Sequence, residues 1–218
     1  SETLEYILDE NVQIHGGNGF VADYPAERHY RDGRVNRIFE GTNEINRLLI
    51  PGMLARRAAK GELPIFAAAK ALESELMGPP SSPPPDESVL AEERRAVGAF
   101  RKTALMVLGL ALQTYGEKVA DEQEVLMHIA DMLIDLYCAD SAVLRAVAAA
   151  GTARGALHAD AARVFVNDAS MRIDASARQA LATMAEGDTL RTMLAALRRV
   201  LKTAPNKAAS RTSEISSK

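Results

Sequence analysis

The chain has 218 residues, 47% hydrophobic and 25% charged, a balance that suits a folded globular protein and excludes an extended charged polymer. Its 26 Lys+Arg against 29 Asp+Glu leave a net charge of −3, which gives no basic footprint for nucleic acid. The single Cys138 excludes an intramolecular disulfide, and the four histidines (His15, His29, His128, His158) lack close ligand spacing, so no metal site is expected.

Strand signals are nearly absent and Ala and Leu are abundant, so an all-α fold is expected. Neither end carries a signal-like or membrane-length apolar run. The start, Ser1-Glu2-Thr3-Leu4, has no initiator Met and is already in an amphipathic pattern, so a fragment is expected. A first helix covers 2–15, with Leu4, Ile7, Leu8, Val12 and Ile14 on its apolar side, and Gly16-Gly17-Asn18-Gly19 stops it. Pro25 opens a short helix over about 25–32, broken by Arg31-Asp32-Gly33. A third runs from about Asn43 to Lys60 with Ile45, Leu48, Leu49, Met53 and Leu54 inward, and Pro51 is expected to kink or divide it. A short helix over 65–77 precedes the Pro-rich stretch from Gly78 to Pro85, read as a semi-extended linker.

Longer helices follow. One, capped by Asp86 or Ser88, runs to about Tyr115 with Val89, Val97, Phe100, Ala104, Leu108 and Leu112 inward. The next, about 121–150, starts at Asp121 with Glu124 three residues on, and its stripe is Leu126, Ile129, Leu133, Leu136, Val143, Leu144 and Val147. Two more cover about 157–185 and 189–203, the last capped by Asp188. Long helices with short turns favour an antiparallel bundle. Cys138 sits in an apolar helical setting and is read as an inert thiol. The residues from Pro205 have little to bury, and a disordered tail is expected.

The informative stretch is Gln13-Ile14-His15-Gly16-Gly17-Asn18-Gly19-Phe20, then Glu27 to Tyr30, Arg31-Asp32, and Arg37-Ile38-Phe39-Glu40-Gly41-Thr42-Asn43-Glu44-Ile45-Asn46-Arg47. In order and in register, it resembles the active-site segment of the acyl-CoA dehydrogenase family. The resemblance implies a flavoenzyme that removes an α-proton and a β-hydride from a fatty acyl-CoA thioester. Such a weakly acidic proton needs a carboxylate base and donors aimed at the thioester oxygen. The family's base, a glutamate before Gly-Thr, maps onto Glu40, whose own backbone N–H would also hold the thioester carbonyl. Gly41 joins it in substrate binding at the start of the following helix. A dry cleft would strengthen Glu40 as a base. Thr42 and Glu44 map onto flavin contacts, although Glu44 replaces a Gln found in many members. Gln13, Gly16 and Gly17 map onto the segment that meets the FAD of a neighbouring subunit, which implies a homo-oligomer. Arg31-Asp32 and Arg37 are read as structural ion-pair or helix-end residues, and His15 as a packing residue.

The later run Glu122-Gln123, Leu126, Ala130-Asp131 and Ile134-Asp135-Leu136-Tyr137 is similar to the added carboxyl-terminal domain of the very-long-chain type. The resemblance thus implies long-chain acyl-CoA substrates, FAD, an electron-transfer flavoprotein as electron acceptor, a dimer, and a place in the bacterial cytoplasm or the mitochondrial matrix. Asp86, Glu87, Glu92 and Glu93 around the linker give no basic amphipathic face, which argues against membrane attachment. The expected organisation is 1–62 as the end of the catalytic helical domain, 63–88 as short helix and linker, 89–204 as a second bundle, and 205–218 as tail. The isolated chain is expected to be inactive. Two rival readings are a helical interaction module with a degenerate active-site segment, and an acyl-CoA oxidase.

Overall fold

The computed structural model describes residues 1–79 and 88–201, which are mostly helical, joined by turns and loops, and contain no strand. The helices are α1 (Glu2–His15), α2 (Pro25–Arg34), α3 (Asn43–Ala59), α4 (Ile65–Met77), α5 (Ala91–Tyr115), α6 (Gln123–Ala148), α7 (Gly155–Met184) and α8 (Gly187–Val200). Short 3₁₀ turns fill Gly16–Gly19, Val35–Arg37 and Gly116–Asp121. The chain separates into two compact units, Ser1–Ile50 and the part from Pro51 onward.

In the first unit α1 packs on α2 and on the turn at Gly16–Gly19. Gly16 ends α1 with φ +57°, a left-handed conformation that only glycine adopts freely. Gly33 does not break α2, which runs on to Arg34. The Leu8 side chain occupies the space where a Cβ on Gly33 would stand, so this glycine serves helix packing. Little of this unit is covered. Ile7 is 56% exposed, Ile14 82%, Phe20 85% and Ile45 57%. Of the faces expected inward, Ile7, Ile14 and Ile45 therefore lie open while Leu8, Val12 and Leu48 are half-buried, because periodicity marks an apolar side without supplying the surface that covers it.

Pro51 does not divide α3, which continues from Asn43 to Ala59 with the proline inside it. Proline removes one backbone donor, and here its ring is fully buried, which offsets part of that cost.

The second unit is an antiparallel bundle in which α5, α6 and α7 pack on one another, with α4 and α8 against α5. Phe100, Val107, Val125, Ile129, Met132, Ile173, Leu181 and Leu197 are fully buried and make its core. Small residues let helices close up: a Cβ on Gly109 of α5 would stand 2.9 Å from that of Ala69 in α4. By length and composition α5 could cross a membrane, yet its buried residues, from Ala91 to Ala111, form the middle of this bundle.

Several helix starts differ from expectation. α5 begins after Leu90, which is left-handed at φ +60°, and Ser88 instead bonds the Arg94 side chain. Asp86, most of the Pro-rich stretch and the tail lie outside the described residues. A 3₁₀ turn occupies the expected Asp121 cap, so α6 starts at Gln123. Asp188 lies inside α8 and pairs with Arg191 at 2.8 Å. Val89, Leu144 and Val147 are exposed rather than inward.

Between helices, Arg172 of α7 grips Asp135 of α6 through Nε and Nη2, with the closest contact 2.7 Å, while lying 5.5 Å over the Phe165 ring. Glu93 is buried with Arg163 at 3.8 Å, and Arg163 also holds Asp160 at 2.9 Å. Burial pushes the half-buried Cys138 thiol up, the Asp135 carboxylate adds to this, and Arg172 opposes it. That direction suits an inert thiol.

Candidate active site

Glu40 occupies the loop between the 3₁₀ turn Val35–Arg37 and the start of α3. It is exposed, and its φ of +55° puts a glutamate in the left-handed region, where a side chain with a Cβ is strained. Gly41 follows at φ +92°. Two consecutive positive-φ residues turn the chain sharply into α3.

The helix start is built from the next residues. Thr42 is the cap: its carbonyl accepts from the Asn46 N–H at 2.9 Å and its Oγ1 from the Ile45 N–H at 3.1 Å. The Glu44 carboxylate lies in the first turn. A bond from its own backbone N–H holds it below the usual carboxylate range, the Thr42 hydroxyl adds to that, and Arg37 and Arg47 add less. The Asn46 Nδ2 donates back to the Gly41 carbonyl at 2.8 Å.

Two ion pairs bracket this loop. Arg37, just before it, pairs with Glu5 of α1. Arg47, just after it, pairs with Glu2 at 2.6 Å. The Ser1 hydroxyl also donates to the buried Asn43 Oδ1 at 2.6 Å. Arg37 is thus the structural ion-pair residue the sequence suggested. Arg31 lies in the last turn of α2, and neither it nor Asp32 has an ion pair among the described residues.

Among the described residues, neither the Glu40 nor the Gly41 N–H meets an acceptor. The geometry therefore offers a carboxylate and unspent backbone donors at one helix entrance, the pairing that abstraction of a proton beside a carbonyl requires.

The other predicted segment stands apart in bonding. Gln13, Gly16 and Gly17 are exposed. A Cβ on Gly16 or Gly17 would meet nothing within 4 Å, so the backbone there is open to close approach from outside. Gly19 differs: its Cβ would fall 2.4 Å from the Val12 carbonyl, which makes it a packing glycine. No hydrogen bond joins this segment to Glu40–Glu44 among the described residues. Of the site's residues, Asn46 was missed by sequence reasoning. The only signal was an amide five positions beyond a glycine at a helix start.

Two family models, each described as acyl-CoA dehydrogenase, C-terminal domain, match residues 1–55 and 99–199. The chain is similar to a protein of Bacillus subtilis (strain 168) named "Probable acyl-CoA dehydrogenase", 48% identical over 94% of this chain and 35% of that protein. A stretch of 56 residues is similar to the mitochondrial short-chain specific acyl-CoA dehydrogenase of Homo sapiens, 54% identical over 26% of this chain and 14% of that protein. A crystal structure of an acyl-CoA dehydrogenase complexed with FAD from Bacillus anthracis matches with a TM-score of 0.93 at 43% identity, over 99% of this chain and 37% of that one. The chain thus spans about a third of the length of the Bacillus relatives it matches end to end. Matched over residues 1–55 and 99–199 by two models of that description, the chain is similar to the carboxyl-terminal part of acyl-CoA dehydrogenases.

Proposed function

We propose that this chain is the helical carboxyl-terminal portion of an FAD-dependent acyl-CoA dehydrogenase and that Glu40 is the base that removes the substrate α-proton. The observation that carries the reading is the Glu40–Gly41–Thr42 entrance to α3, a left-handed carboxylate with unspent backbone N–H groups beside it. The substrate is a fatty acyl-CoA thioester, and the product is the trans-2-enoyl-CoA of fatty acid β-oxidation. Glu40 takes the α-proton, and its backbone N–H holds the thioester carbonyl oxygen as negative charge grows there. Gly41 takes the φ of +92° that turns the chain from that N–H into α3, a conformation open to glycine.

The residues fit a flavin in two places. Thr42 and Glu44 form a polar helix entrance. Gly16 and Gly17 present bare backbone beside Gln13 where nothing fills the space. Bound FAD would supply the hydride acceptor. The reading places Gln13–Gly17 against the FAD of a second subunit in a dimer, with an electron-transfer flavoprotein as the acceptor. Long-chain substrates and the division into 1–62 and 89–204 about a connecting stretch belong to the same reading. Its support is the length of the helical bundle that follows α4. The open apolar faces of the first unit support the view that the isolated chain needs further surface before it can hold FAD or turn over.

Glu40→Gln in the full-length protein tests the proposal. Turnover of palmitoyl-CoA should fall by about 10²–10⁴-fold with FAD still bound. Undiminished turnover would assign the base elsewhere.

A further inference from the structure

We propose that Asn46 is a positioning residue that fixes the direction of the Glu40 carboxylate by clamping the peptide after Gly41; this rests on the reading of Glu40 as the base. The Gly41 carbonyl lies outside the ladder of α3. The first helical N–H groups that could reach it are taken by Thr42, Ile45 by the hydroxyl and Asn46 by the carbonyl. Among the described residues the partner of the Gly41 oxygen is the Asn46 amide, at 2.8 Å. The same amide closes the space on the other side: its Oδ1 would stand 2.9 Å from a Cβ on Gly41.

One side chain therefore holds the carbonyl and packs against the Gly41 Cα, while the φ of +92° is what requires glycine at the turn. Without the clamp the Gly41–Thr42 peptide is free to rotate. Glu40, already strained at φ +55°, could then relax toward an ordinary conformation that aims its carboxylate elsewhere. A misplacement on the order of 1 Å costs about 10²-fold in a reaction that depends on alignment.

The test uses full-length holoenzyme and isolates proton removal. In an acyl-CoA with sulfur replacing the β-carbon no hydride can leave, so exchange of its α-protons in D₂O reports Glu40 alone. Asn46→Ala should slow this exchange, and kcat on palmitoyl-CoA, by about 10–100-fold with KM and FAD content little changed. Asn46→Asp, isosteric but without the donor, should behave like the alanine variant, and Asn46→Gln, which keeps the donor, should recover part of the loss. If Asn46→Ala fails to fold, the Asp and Gln variants decide between themselves. Normal exchange in the Asn46 variants with exchange abolished in Glu40→Gln would overturn the clamp and leave the base standing. Normal exchange in Glu40→Gln would overturn both. Slower exchange that merely tracks loss of FAD and of thermal stability, with no recovery in Asn46→Gln, would reduce Asn46 to a structural residue and also overturn the proposal.

Discussion

Arg47 reaches back from α3 to the carboxylate of Glu2, 2.6 Å away, and so ties the first turn of α1 to the helix that begins with the Glu40 loop. Arg37 and Glu5 do the same on the other side of the loop. Both pairs are partly exposed, so each stabilises the fold by only about 0.2–1 kcal/mol. Glu2→Gln and Glu5→Gln should lower the urea midpoint slightly, and the difference should shrink in high salt as screening increases. A large, salt-independent loss would show that the pairs act through packing instead.

The cap at Thr42 should matter more. Thr42→Ala removes the acceptor for the Ile45 N–H and should cost about 1 kcal/mol in denaturant unfolding. It also removes one of the bonds that hold the Glu44 carboxyl down, so the Glu44 midpoint should rise toward its ordinary value in a carbon-detected NMR titration. The sign for the unmodified chain follows from the lowered pKa. The stabilising contribution of Glu44 is present above its unfolded-state value and is lost as pH falls through the lower folded-state one. A Glu44 midpoint at or above the ordinary carboxylate value would contradict this geometry.

How much of this was legible in the sequence depends on the kind of signal. The ends of α1 and α4 were readable because Gly16 and Gly78 punctuate strong helical patterns. The burial of Phe100, Leu126 and Ile129 was readable too, since these stripes face partners within the same bundle. Ile7, Ile14, Ile45 and Met53 have the same periodicity and lie open, because a pattern cannot say whether its partner surface is at hand. The left-handed Leu90 and the 3₁₀ turn over Asp121 replaced expected caps, as tertiary packing decides between competing local starts. The Asn46 clamp was hidden because a side chain finds the carbonyl five residues back only once two positive-φ residues have turned it round.

Thr103 offers a test of the core. Its hydroxyl is fully buried in α5 and has no partner among the described residues. Replacing it with the isosteric Val removes a desolvated polar group without opening a cavity. Thr103→Val should leave stability unchanged or raise it by about 1 kcal/mol, seen as a higher Tm. A loss of stability would reveal a hydrogen bond at this hydroxyl.

The Asp135–Arg172 pair links packing to thiol chemistry. Asp135→Asn removes a negative charge beside Cys138, so the thiol pKa should fall, although burial, the larger cause, remains. The pH midpoint for alkylation by iodoacetamide should shift downward in this variant. An unchanged or higher midpoint would mean that the carboxylate does not act on the sulfur.

The central claim is that Glu40 removes the α-proton, and single-turnover reduction of the flavin in full-length protein tests it most directly. Palmitoyl-CoA mixed with the oxidised enzyme should bleach the flavin absorbance rapidly. Glu40→Gln, with FAD bound and substrate saturating, should bleach it at least about 10²-fold more slowly. Bleaching at the unmodified rate in Glu40→Gln would contradict the account.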